Sequence, residues 1–253
     1  GEGHLYVVNP KTGDLIKDIS TSNCTSAPAA NACGLAQISV SLASNNTVDY
    51  VYGGDLKGNV WRFDLTGSSA DSWAVEKFAN LKDATAASQP ITAAPQLTFN
   101  SGVRMVYVGT GQYLGNTDIP GSMGANASSS QTQTMYGLKD SLTTLPTPLR
   151  PNLQQQTLTT SGSTRTITHN LVNYALKNGW YIDLPITGER LFTQVAAYSN
   201  NLVFTSNIPS STKCEPGGSS WLQVVNSRTG GLADFAGTGA VSGISFGNVL
   251  SSS

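Results

Sequence analysis

Charge is scarce in this sequence: 11% of its 253 residues are Asp, Glu, Lys or Arg, 14 basic against 15 acidic. So even a balance offers no electrostatic footprint for a polyanion, which argues against nucleic acid as a partner. Histidine is scarcer still. His4 and His169 stand far apart with no nearby carboxylate and hydroxyl set, so a hydrolytic triad is not supported. No cluster of His, Cys, Asp or Glu has zinc spacing. Long apolar runs are missing, and none approaches the roughly 18 residues of a membrane-spanning helix. A signal peptide is not visible either, because Gly1-Glu2-Gly3 leads straight into a strand pattern; a precursor could have carried one upstream.

Cysteine is limited to Cys24, Cys33 and Cys214. The first two flank a Ser/Pro/Ala/Asn stretch that cannot pack a core of its own. A bridge between them is expected, since that polar, lysine-poor loop has an extracellular character, and it would stabilise by about 2–3 kcal/mol in the chain-entropy model. Two reduced thiols in a cytosolic loop are the alternative. Cys214 is then the odd one, free or paired with a cysteine elsewhere.

Helical 3.6-residue periodicity is also lacking. What is present is a set of short alternating runs rich in Val, Tyr, Phe, Trp and Thr, punctuated by Gly and Asn. They share one order: strand, polar turn, second strand, gap, and a third strand carrying an aromatic. The first copy runs from Ile38–Leu42 through Asp49–Asp55 to Val60–Leu65. The second uses Ala94–Phe99, Met105–Gly111 and Thr134–Leu138. The third uses Phe192–Tyr198, Leu202–Ser206 and Trp221–Asn226. Repeated four-stranded meanders, each with an apolar face that one unit cannot cover, predict an all-β propeller, with a β-sandwich as the competing architecture. His4–Asn9 has the form of a third strand, and Val241–Phe246 that of the beginning of another blade. The expectation is therefore one propeller region over residues 1–253, holding about three full blades of a larger set. Asn116–Gln133 and Pro146–Gly162 read as long surface loops, with Ser163–Thr168 following as an outer strand.

Several of these stretches resemble one family. Asp49-Tyr50-Val51-Tyr52-Gly53-Gly54-Asp55-Leu56-Lys57-Gly58-Asn59-Val60-Trp61-Arg62-Phe63-Asp64-Leu65 is similar to a segment of the PilC/PilY family of type IV pilus tip and biogenesis proteins. Pro90–Pro95, Val106–Gly115, Gly179–Pro185 with Gly188–Arg190, and Phe204–Pro209 with Cys214 and Gly217–Leu222 agree with it in order. The resemblance covers nearly the whole chain. It implies a quinoprotein-like carboxy-terminal propeller of an exported protein, at the pilus tip, the cell surface or the outer membrane. Expected partners are minor pilins and a host or abiotic surface, engaged by binding rather than catalysis.

The resemblance also implies a calcium loop on the turn before the Asp49 strand, with oxygens at alternating positions. Here the ladder is Ser41, Ala43, Asn45, Thr47 and Asp49, and the side chains able to contribute are chiefly Asn45, Thr47 and Asp49. Only Asp49 is a carboxylate, and Ala43 has no side-chain oxygen, so an ordinary hairpin on Asn45-Asn46 competes with a cation site. No other cofactor is expected. Gly109-Thr110-Gly111 and Gly237-Thr238-Gly239 read as strand-end turns, because neither opens a helix in a βαβ unit. The alternative function is a quinoprotein-like redox or small-ligand propeller. That chemistry would need a quinone stacked on Trp, a metal, a base and adjacent cysteines, and the three cysteines here are not neighbours. Trp61, Trp73, Trp180 and Trp221 read instead as packing between blades.

Overall fold

The computed structural model describes residues 2–21, 33–100, 102–210, 217–234 and 241–247. Strands β1 (His4–Val8) and β2 (Leu15–Ser20) pair as an antiparallel ribbon around the Asn9–Asp14 turn. The first complete blade is the meander β3 (Leu35–Leu42), β4 (Val48–Asp55), β5 (Asn59–Asp64) and β6 (Ala74–Asn80). The second opens with β7 (Gln96–Asn100), β8 (Val103–Gly109) and β9 (Thr134–Asp140). The chain then makes β10 (Gln154–Gln156), β11 (Leu158–Ser161) and β12 (Thr164–Ile167) before β13 (Gly179–Asp183) closes that blade. The third blade is β14 (Ala196–Tyr198), β15 (Asn201–Pro209), β16 (Gly218–Asn226) and β17 (Gly243–Phe246).

The blades form because alternate residues of each central strand face opposite neighbours. On β8, Val106 and Val108 pack toward the first blade with Tyr52, Val60, Phe78 and Ile91. Met105 and Tyr107 on the same strand face the third blade with Leu202, Phe204 and Val225. A third cluster joins Leu5 and Ile19 of the ribbon to Val51, Trp61 and Phe63 of the first blade. Both faces of the first and second blades are thus buried, and each of these two supplies half of two cores. The opening strands β3, β7 and β14 contact one another in sequence, whereas β2 meets β6 at the other edge. That is the radial order of a propeller.

Each connector between blades is seated the same way. Ile91 N–H donates to the Asp55 carbonyl (3.0 Å), and Leu191 N–H to the Thr110 carbonyl (2.9 Å). The two side chains lie against Gly54 and Gly109; a Cβ on Gly109 would come within 2.6 Å of Leu191 Cβ, and one on Gly54 would overlap Ile91. The sequence stretches Gly53-Gly54-Asp55 and Val108-Gly109-Thr110 therefore mark docking points for the next blade.

Two assignments differ from the sequence reading, and a third holds. Gly243–Phe246 does not begin a new blade; it pairs antiparallel with β16 and closes the third one. Thr164–Ile167 is an outer strand as expected, and it joins the third blade because β12 pairs with β17. The preceding stretch is not a loose loop. Leu145, Leu149, Leu153 and Leu158 are all buried, and Gln154–Gln156 runs parallel to β13 as an added outer strand. Its lone leucines, spaced by proline and polar residues, fill the outer crevices between blades.

Candidate binding surfaces

Asn45 and Thr47 sit in the turn between β3 and β4, and Asp49 stands on β4 itself. The turn closes on backbone: Ala43 N–H donates to the Thr47 carbonyl (2.8 Å), and Asn46 takes a positive φ of 64°. Asn45 Oδ1 accepts from Thr47 N–H (3.1 Å) and from the Thr47 hydroxyl (2.6 Å). Asp49 faces the second blade, where Arg104 on β8 reaches it at 3.1 Å. The guanidinium also lies 4.4 Å from the Tyr50 ring centroid and 5.8 Å from that of Phe99. Both members of the pair are largely buried, so the contact is a strut between blades.

At the opposite rim the chain makes an excursion between β8 and β9, over residues 110–133. Arg190 holds it down. Its Nη1 donates to the carbonyls of Gln112 (2.9 Å) and Asp118, its Nη2 to that of Ser129 (2.7 Å), and its Nε to that of Gly188. Asp118 is buried as well, accepting from Leu114 N–H (2.7 Å), Asn126 Nδ2 (2.8 Å) and Gln112 Nε2 (2.5 Å). Those donors outweigh the opposing effect of burial, and its carboxyl is held below the usual range. Outside this clamp the tip is open: Met123 is 96% exposed and Leu114 69%. An ordered base carrying exposed apolar side chains suits recognition of another surface. The clamp was not legible in the sequence, since Arg190 and Ser129 are 61 residues apart.

Residues 2–170 match the family described as the PilY1 beta-propeller domain. The chain belongs to the PilY1 β-propeller family. It is 30% identical over 281 aligned residues to the type IV pilus biogenesis factor PilY1 of Pseudomonas aeruginosa PAO1, covering 91% of this chain and 23% of that protein. A PilY1 homolog of Xylella fastidiosa is 28% identical over 260, covering 92% and 17%. The chain thus spans about a quarter or less of the length of these curated relatives. The crystal structure of the P. aeruginosa PilY1 C-terminal domain superposes with a TM-score of 0.76 at 27% identity, over 96% of this chain and 60% of that one. The propeller expectation holds across that whole span.

In this PilY1-type propeller the turn before β4 does not fit a calcium ion. Calcium takes six to eight oxygens, several of them anionic. The turn has one carboxylate, Asp49, and a guanidinium already neutralises it; Asn45 Oδ1 already accepts two bonds. A protein whose turn held the ion would gain about 2.7 kcal/mol at a hundred-fold excess over Kd. We expect instead the same unfolding midpoint in calcium and in chelator. A calcium-dependent rise that disappears in Asp49→Asn would sink this reading.

Cys33 is disulfide-bonded and buried. Cys24 and Cys214 lie outside the described residues, so the expected Cys24–Cys33 pairing stays a proposal. The tryptophans are engaged in packing. Trp61 Nε1 donates to Asp55 (2.8 Å), Trp180 Nε1 to the Ser227 carbonyl (3.0 Å), and Trp73 Nε1 to the Gly67 carbonyl (3.1 Å). Arg165 covers the Trp221 ring at 3.9 Å. His4 does have a carboxylate neighbour that sequence distance concealed, Asp18 at 2.8 Å across the ribbon, but the pair is exposed and the facing Ser20 hydroxyl donates to Glu2. Among the described residues no group of three or more His, Cys, Asp or Glu could hold a metal, and no helix is long and apolar enough to cross a membrane.

Proposed function

We propose that the chain is a binding module of a type IV pilus biogenesis factor, a single propeller region that is exported and acts at the pilus tip, cell surface or outer membrane without catalysis. The family match carries this reading, and the curated relatives bear that name. Minor pilins at the tip, and a host or abiotic surface, are the proposed partners. The contact surface is the 110–133 excursion, whose base is fixed by Arg190 and Asp118 and whose tip exposes Met123. A rigid base limits the ordering entropy lost on association.

The test is capture of minor pilins by the protein carrying Met123→Glu or a shortened 120–125 tip. Capture should fall at least about ten-fold, equivalent to roughly 1.4 kcal/mol, with the unfolding midpoint unchanged. Undiminished capture removes the excursion from the interface, and no capture by the parent protein removes the partner.

A further inference from the structure

A cleft of about 350 Å³ opens between the second and third blades. Its wall follows β8 from Val103 to Tyr107, and no residue of the 110–133 excursion lines it. Val103 and Met105 give it an apolar wall, Lys139 and Arg228 two cations, and Tyr107 and Tyr174 two phenols. No carboxylate lines it.

Five of the six arginines are committed elsewhere. Arg62, Arg104, Arg150 and Arg165 all pair with carboxylates, and Arg190 is spent on backbone carbonyls. Among the described residues, neither Lys139 nor Arg228 forms an ion pair, and the Arg228 guanidinium has no hydrogen-bond acceptor. The Lys139 ammonium lies 6.0 Å from the Tyr174 ring centroid. The Arg228 backbone is fixed: its N–H donates to Asn226 Oδ1 (2.9 Å), and its carbonyl accepts from the Tyr174 hydroxyl (2.5 Å). Arg228 is exposed and Lys139 half-buried, so together they give the cleft a positive, solvent-screened field that an anion would complement.

The remaining polar groups narrow the ligand. The Tyr174 hydroxyl is already donated, and the Tyr107 and Thr98 hydroxyls bond each other at 3.2 Å. Burial raises the pKa of both phenols, so they remain neutral. Asn200 lines the cleft as well, so its amide and the two cations are the donors left for a ligand, a set that suits a carboxylate. The volume lies near the lower end of ligand pockets, enough for one side chain with methylenes to place on the apolar wall.

We propose that this cleft docks a glutamate-bearing segment of a partner protein, with the carboxylate on Lys139 and Arg228 and the methylenes on Val103 and Met105. The probe is an acetylated, amidated pentapeptide with a single central Glu, titrated against the protein and followed by calorimetry. Replacing its Glu by Gln should weaken binding about ten-fold or more, roughly 1.4 kcal/mol. The Lys139→Gln/Arg228→Gln protein should lose binding while keeping its unfolding midpoint. Equal binding of both peptides, retained binding by the double variant, tighter binding of glucuronate or inorganic phosphate, or no binding of the Glu peptide would each overturn the assignment.

Discussion

Glu189→Ala is expected to destabilise the protein by about 3–5 kcal/mol, because it strands a fully buried guanidinium. Arg165 and Glu189 have no exposed side-chain surface and meet in a two-pronged contact, Nη1 to Oε1 at 2.6 Å and Nη2 to Oε2 at 2.8 Å. Arg165 Nε donates to the Thr160 hydroxyl, while the Ser206 hydroxyl and Ile186 N–H supply Glu189 with further donors. The pair joins hairpin β11–β12 to the connector entering the third blade. Losing either member removes the tie and leaves the other charge in a site without water. Arg165→Ala should cost a similar amount and also uncover Trp221. The double replacement Arg165→Met/Glu189→Leu should recover much of either loss, since an apolar pair carries no unpaired charge. Urea unfolding of the four proteins checks this. A Glu189→Ala loss below about 1 kcal/mol would mean that water reaches the pair, as in exposed contacts.

How much of this was legible in sequence depends on the range of the pairing. The meanders were readable because a strand and its hairpin partner are close in sequence and alternate visibly, as in Asp49–Asp55 and Val60–Leu65. Edge pairing was not. Gly243–Phe246 has the alternation of any strand, and nothing in its four residues says that β16 rather than a new blade is its partner. The hairpin at Leu158–Ile167 leaves the second blade's sequence to widen the third blade's sheet, held there by backbone pairing with β17 and by the Arg165–Glu189 tie. The proposed calcium turn shows the same limit. The oxygen spacing at Asn45, Thr47 and Asp49 is local, whereas Arg104, which takes up the one carboxylate, comes from the next blade. The glutamate cleft is assembled from residues 98 to 228, with no local motif to announce it. Trp180 was the favourable case, a single residue whose size alone pointed to the space between blades.

Trp180→Ala should cost about 3–5 kcal/mol, the range for a large aromatic removed from a close-packed core. Its indole is fully buried against Met105, Tyr107, Leu202 and Phe204. Two glycines make room for it: a Cβ on Gly137 or Gly230 would run into the ring. The Nε1–H donates to the Ser227 carbonyl, one residue before Arg228. Loss of the ring therefore opens a cavity between the second and third blades and leaves a buried acceptor without its donor. Trp180→Phe should lose less, keeping most of the packing but not the hydrogen bond. Gly137→Ala approaches the same joint from the other side, forcing the ring aside, and should cost about 1–3 kcal/mol by overpacking. If the blades dock independently of this residue, the alanine protein would unfold within about 1 kcal/mol of the parent. If the joint also sets the cleft, Trp180→Phe should weaken the glutamate peptide while leaving pilin capture at the excursion intact. That split would show that the blade interface transmits to one rim and not the other.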